Sequence, residues 1–334
     1  MKFFITGLAG FLGSNLGDHL IKQGHEIYGN DNFIGGYQDN IDKNFNFFKA
    51  DCCDLKKMEE IIPNDTDVLF HCAATAYEGL SVFAPTFISK NIFQATVSTI
   101  TAAINKRVKK IIFCSSMARY GEQKYPFTEN MLPKPVDPYG IAKVASEDML
   151  KNLCDIHGVD WTILVPHNIV GPKQKYDDPY RNVMSIFLNK MMRNEDIFIY
   201  GDGRQKRCFS YVDDCIQSMH QCINSNNTSK EVINIGPDEE FISINKLAEL
   251  CSNEVGQNKK PIYIADRPKE VKFATCSANK ARKILNYKTN FTLKESIKKT
   301  ADYIRERGTR NFTYHINLEI LNEKVPETWK KELI

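Results

Sequence analysis

Tyr139 and Lys143 stand four residues apart in PYGIAK, the spacing that sets two side chains on one face of a helix. A tyrosine hydroxyl has a reference pKa of about 10, too high for a base at neutral pH. An ammonium beside it favours the phenolate and lowers that pKa. The pair gains weight from CSSMARYG (114–121), where the apolar run VKKIIF ends in Ser115 and Ser116. Ser116 precedes Tyr139 by 23 residues, room for one loop and a helix start. A hydroxyl there can donate to a substrate oxygen while Tyr139 takes or returns its proton.

A second cluster sits at the start of the chain. ITGLAGFLGSNL puts Gly7, Gly10 and Gly13 directly after the apolar KFFIT and at the opening of a helical pattern. The first glycine permits a tight turn, the second lets backbone approach a pyrophosphate, and the third lets helix and strand pack closely. The spacing is GxxGxxG rather than GxGxxG. Asp31 ends the second expected strand, 18 residues beyond Gly13. Its carboxylate can accept from an adenosine ribose and would repel a 2′-phosphate. No arginine is near it in the sequence, which favours NAD over NADP, and Lys143 could then reach the nicotinamide ribose.

These residues need elements to hold them. KFFIT, HEIYG, FNFFKA, DVLFHCA, KKIIFCS and WTILVP read as buried strands. Helical patterns lie between them, among them FLGSNLGDHLIKQG, LKKMEEII, PTFISKNIFQATVSTITAAIN and PYGIAKVASEDMLKNLCDIHG. The alternation implies an α/β fold, a Rossmann-like doubly wound parallel sheet with helices on both faces. Ser115 and Ser116 then lie at the carboxyl edge of the fifth strand, where such sheets bind ligands. After Pro166 the pattern loosens. We expect an NAD-binding domain over 1–166 and a smaller C-terminal α/β substrate-binding domain over 167–334. CFSYVDDC and VINIG, near 208–236, are expected to return to the first sheet.

Bulk properties exclude other classes. The 334 residues are 42% hydrophobic and 25% charged, with a formal charge of +3. That is too small a charge for a nucleic-acid partner. No apolar stretch approaches ~18 residues, so no membrane partner is expected. The start MKFFITG has no signal-peptide pattern. The ten cysteines are scattered without a CxxC pair and read as reduced thiols of a cytoplasmic protein. The seven histidines show no metal spacing, so no metal is expected.

The chain resembles the extended short-chain dehydrogenase/reductases, in particular the NAD-dependent nucleotide-sugar epimerases and dehydratases. The likeness runs through TGLAGFLGSNL, DN at 31–32, ADCCD, HCAATA, CSSMARYG, DPYGIAK, VPHNIVGPKQ, GDGRQKRCFSYVDD and DRPKEVKF. It implies Ser116, Tyr139 and Lys143 as the catalytic set. It implies Phe11 and Leu12 at the pyrophosphate, and Asn32, Asp51 and Cys52 near the adenosine. Cys72, Ala73, Ala74 and Ala76 would line the cofactor, and Asn91 and His167 would reach it. Asn168 and Arg207 would hold the sugar nucleotide's diphosphate. Arg267 and Glu270 match an Arg-x-x-Asp pair at the phosphate and uridine ribose, with glutamate in place of aspartate. It also implies a homodimer, in which 85–105 and the helix of Tyr139 join a four-helix bundle.

Within the family, dehydratases carry Thr-Asp-Glu where Ser116, Met117 and Ala118 stand. Decarboxylases place a glutamate near Ala118. Neither acid is present here, and the remaining set looks like that of a UDP-hexose 4-epimerase. A net C4 oxidoreductase and a non-catalytic NAD-binding protein are the other readings, the latter disfavoured by the intact Ser116, Tyr139 and Lys143. Ala274 aligns with the position that governs access for a C2 N-acetyl group. Arg119 replaces a small aliphatic residue and, with Arg181 in the covering loop 173–183, is a candidate for a substrate carboxylate. Glc, GlcNAc and GlcA all remain open as the sugar. An epimerase of this kind would serve polysaccharide, glycan or galactose metabolism.

Overall fold

The computed structural model describes residues 1–334. Seven parallel strands form the main sheet: β1 (Lys2–Thr6), β2 (Glu26–Asp31), β3 (Asn46–Lys49), β4 (Val68–His71), β5 (Lys110–Cys114), β6 (Asp160–Pro166) and β7 (Glu231–Ile235). Their order is β7-β6-β5-β4-β1-β2-β3. Side chains alternate between faces along a strand. Phe3 and Ile5 of β1 join one core layer with Leu16 of helix α1 (Phe11–Ile21), while Phe4 joins the other with Met58 of α2 (Leu55–Ile61). Both faces are covered, so the strands read as continuous apolar runs rather than alternating ones.

The order reverses at β1, whose neighbours are β2 on one side and β4 on the other. A crevice therefore opens at the carboxyl ends of β1 and β4. The residues of PTFISKNIFQATVSTITAAIN are not one regular helix. Pro85–Ser89 passes through a π-helical turn at Lys90–Gln94 into α3 (Ala95–Asn105). Such turns often mark functional positions, and Asn91 within it faces the cleft. The wide apolar face of α3 is used within the subunit, between α2 and α4 (Pro138–His157).

Beyond Pro166, VINIG forms β7 beside β6. CFSYVDDC does not enter the main sheet. Ser210–Tyr211 pairs with Ile169–Val170 in a separate two-stranded ladder, and α6 (Val212–Gln221) then packs on α1. The smaller half packs α5 (Val183–Met192), α7 (Ile244–Val255) and α8 (Leu293–Arg307) around Phe187, Leu188, Leu247 and Ile297. A reciprocal Thr292–Glu295 capping box starts α8, satisfying two otherwise unpaired amides. The short helix Asn279–Leu285 lies back against β7. No helix is long and apolar enough to cross a membrane, and the ten cysteines are all free.

Candidate active site

The glycine loop is built for close approach. Gly7 has φ +70°, and a Cβ there would lie 3.0 Å from the backbone of Ala73. A Cβ on Gly13 would lie 2.2 Å from the Gly7 carbonyl oxygen. Asp31 accepts from the amides of Ala9 (3.1 Å) and Phe33 (2.6 Å). Burial pushes its pKa up, against those bonds. Gly36, unremarked in the sequence, has no room for a side chain either, since a Cβ would meet the Ala9 carbonyl at 2.5 Å. One arginine does come near Asp31. Arg181 reaches the Gly35 carbonyl at 3.5 Å from 146 residues away, and its charge opposes the burial that raises the Asp31 pKa.

One cavity of about 490 Å³ runs from this loop into the smaller half. Gly7, Gly10, Phe11, Leu12 and Gly13 line it with Asp31, Asn32, Asp51 and Cys52. Cys72, Ala73, Ala74, Ala76, Asn91 and His167 continue the same wall. Buried groups without partners, His167 Nδ1 and Thr75 Oγ1, belong to lining residues. Glycines without room for Cβ, a carboxylate at the end of β2 and orphaned polar atoms fit a dinucleotide. We expect Gly13→Ala to be isolated without NAD, checked by quantifying nucleotide released on denaturation.

Local caps set the candidate catalytic groups. Ser116 starts the 3₁₀ turn Met117–Tyr120 by accepting from the Ala118 amide at 3.1 Å. Asp137 caps α4 by accepting from the Gly140 amide at 2.7 Å, and Pro138 opens its first turn. Tyr139 and Lys143 are 3% and 2% exposed. The Lys143 ammonium donates to the Cys114 carbonyl at 2.7 Å and lies 4.9 Å from the Phe113 ring centre. Burial pushes the Lys143 pKa down to about 8, opposed by Cys114, Cys72, Glu147 and Glu78. The Tyr139 phenol faces the Ser116 hydroxyl, but burial and then the Glu78 charge push its pKa up. The lowered phenol expected from the Tyr-Lys spacing is thus not what the polypeptide's own groups produce. Desolvation outweighs the Ser116 hydrogen bond and the Arg181 charge, which act the other way.

In the smaller half, Asn168, Arg207, Arg267, Glu270 and Ala274 line the cavity. Asn168 holds φ +43°, uncommon for a side-chain-bearing residue, and donates to the Cys208 carbonyl at 2.9 Å. Arg267 and Glu270 pair at 3.2 Å. Arg207 donates to the carbonyls of Val271 (2.5 Å) and Lys272 (3.2 Å). Residues 179–183 of the expected covering loop, Arg181 included, face the same space.

Contrary to the expectation for a carboxylate-binding residue, Arg119 does not face the cavity. Its guanidinium pairs with Glu147 at 3.0 Å, the two side chains being 4% and 1% exposed. Glu147 also accepts from Ser115. An arginine on the inner side of the Ser116 turn has no solvent to reach, so it takes the one buried carboxylate beneath it. Three residues escaped the sequence reading. Glu147 follows Lys143 by one helical turn, a spacing that could have singled it out. Tyr200, next to the quoted GDG, and Glu78 both line the cavity. Glu78 had no local signal.

Comparison with known proteins agrees with this arrangement. The NAD dependent epimerase/dehydratase family matches residues 3–236. A UDP-glucose 4-epimerase of Thermotoga maritima, solved with UDP-glucose, is 32% identical over 92% of this chain and 99% of its own, with a TM-score of 0.85. A UDP-glucuronic acid 4-epimerase of Bacillus cereus, solved with UDP-glucuronic acid and NAD, is 28% identical over 92% and 100%, with a TM-score of 0.84. A UDP-N-acetyl-α-D-glucosaminuronate decarboxylase of Bacillus cytotoxicus is 29% identical over 91% and 98%. A dinucleotide loop after β1, a Ser-Tyr-Lys set from the end of β5 and helix α4, and this agreement along the chain place the protein in the NAD-dependent epimerase/dehydratase family.

Proposed function

We propose that this protein is a UDP-hexose 4-epimerase. One observation carries the reading. Around the Tyr139 phenol, the turn after β5 supplies the Ser116 hydroxyl and then Met117 and Ala118, both on the cavity wall and neither able to move a proton. That set serves oxidation and reduction at one carbon and lacks the acids for elimination. NAD, when bound, supplies a reversible hydride acceptor and, in its oxidised form, a positive charge. Tyr139 takes the C4 hydroxyl proton and later returns it. Ser116 donates to the C4 oxygen. Lys143 would hold the cofactor ribose and keep positive charge near the phenol. The 4-keto sugar turns over between the two half-reactions, so net redox is zero.

Arg207, Asn168 and Arg181 are our candidates for the diphosphate, and Arg267 with Glu270 for the uridine ribose. The preferred sugar is uncharged at C6. Arg119 is unavailable to a uronate, and the Glu78 carboxylate, which has no hydrogen-bond or ion-pair partner in the protein, would repel one. Ala274 leaves room for an N-acetyl group at C2. We also infer a homodimer through α4, where Ile141 and Ile156 are 55% and 67% exposed. Sedimentation velocity at a single-subunit mass would remove that inference.

The test is proton NMR of the purified protein with UDP-Glc, UDP-GlcNAc and UDP-GlcA in turn, without added cofactor. Inversion at C4 is expected with a neutral sugar. No inversion, together with NADH absorbance on adding NAD⁺, would replace the epimerase with a net oxidoreductase.

A further inference from the structure

After α8 the chain does not leave the molecule. Gly308–Ile334 crosses the substrate half of the cleft and is bonded at each stage. Tyr176 donates to the Gly308 carbonyl at 2.8 Å. Asn189 of α5 holds Arg310 from both sides, accepting from its amide at 3.1 Å and donating to its carbonyl at 2.8 Å. The Thr313 amide donates to the Asp177 carbonyl at 2.9 Å. The segment then reaches the large half. The Glu319 carboxylate accepts from the amides of Thr86 and Phe87, both at 2.8 Å. Ile316, Val325 and Trp329 join the buried cluster that also contains Tyr139. A strap with this many bonds on both halves is part of the folded unit.

Its last turn meets the ligand space. The Thr328 hydroxyl, fully buried, is 2.6 Å from the Tyr200 hydroxyl. The Tyr200 ring in turn lies 4.5 Å from the Arg267 guanidinium. The Trp329 ring packs edge-on against Tyr180, centres 5.3 Å apart, and its buried indole N–H has no partner. Lys190 donates to the Leu333 carbonyl at 3.0 Å, and the Ile334 amide donates to the Tyr314 hydroxyl at 3.1 Å. That fixes Ile334 on the cavity wall with Tyr180, Tyr200 and Arg267. No strap residue before Ile334 lines the cavity, and the strap's approach to the glycine-loop side is limited to Arg310, whose guanidinium lies 4.6 Å from the Tyr37 ring.

We propose that Gly308–Ile334 is a positioning clasp of the substrate half of the cleft. It positions Tyr200 through Thr328 and Tyr180 through Trp329, closes the wall with Ile334, and takes no part in holding NAD. The proposal rests on the reading that this half receives a UDP-sugar. Thr328 and Trp329 are positioning residues, since they act through tyrosines rather than on reacting atoms. An alternative in which the strap only stabilises the fold would weaken both ligand halves together.

The experiment uses the NAD-loaded protein as purified. Thr328→Val, Thr328→Ser and a chain ended after Lys331 are compared with the unaltered protein by retained NAD, melting temperature, UDP affinity by calorimetry and the KM and kcat of the NMR-identified substrate. Removing one buried hydroxyl bond should weaken UDP about three- to tenfold. KM should rise more than kcat falls, with NAD content unchanged and Thr328→Ser near the unaltered protein. The shortened chain should weaken UDP at least as much. Unchanged UDP affinity and KM in Thr328→Val, or loss of NAD in step with UDP, would overturn the clasp, and Thr328→Val decides alone if the shortened chain does not fold. Failure of the unaltered protein to bind UDP while holding NAD would instead overturn the UDP-sugar reading.

Discussion

Tyr139→Phe is expected to fold, keep its NAD and lose turnover by about a thousandfold, the scale of one well-placed acid–base group. The substitution removes one oxygen and keeps the ring. The ring belongs to a buried cluster with Leu80, Phe83 and Ile88, so packing is retained. What disappears is the hydroxyl facing Ser116 that the proposed mechanism uses to carry the C4 proton. The phenol is held above its ordinary pKa by burial and by Glu78, so it rests protonated and must be drawn toward ionisation by positive charge. Lys143 is one such charge; oxidised NAD is another. The measurement is kcat by NMR with the NAD content of the same sample. Turnover within about tenfold of the unaltered protein would remove Tyr139 from the mechanism. Turnover lost together with NAD would mean that the substitution disturbed the cofactor site.

The second large effect is on stability. Arg119→Met should lower stability by about 3–5 kcal/mol, because it leaves the Glu147 carboxylate buried without its guanidinium. In a chain of this size that is a melting-temperature drop of roughly 4–7 °C. Adding Glu147→Met should recover most of it, since a buried ion pair replaced by apolar groups of similar volume is often neutral. The pair ties the turn that carries Ser116 to the helix that carries Lys143, with Ser115 bonded to the same carboxylate. A charge effect should accompany this. Burial holds Lys143 down at about 8, and the Glu147 charge is among those opposing it. The double variant should therefore lose the Lys143 proton at lower pH, moving the alkaline limb of activity downward. A single variant that melts within about 2 °C of the unaltered protein would mean that Glu147 finds water or is neutral, and the strut would have to be abandoned.

What was legible in the sequence is what local chemistry specifies. The glycine loop reads out because each glycine answers a backbone constraint set within a few residues. The strands of the main sheet read out because burial on both faces leaves unbroken apolar runs. Ser116, Tyr139 and Lys143 read out because strand ends and helical spacing fix their direction before any long-range contact forms. The tertiary structure decided the rest. Arg119 stands in the right motif, yet the side of its turn that faces inward sent it to Glu147. Arg181 is remote from Asp31 in the chain, and only the closure of one half on the other brings it to Gly35. CFSYVDDC has the residues of a strand but joins Ile169–Val170, because β7 takes the place beside β6. Tyr139 carries the pattern of an activated phenol, but desolvation is set by everything packed around it, and no spacing of two residues can state that. The strap's polar stretch has little periodicity of its own; its place comes from Asn189, Tyr200 and two helix-start amides, partners supplied by the rest of the folded chain.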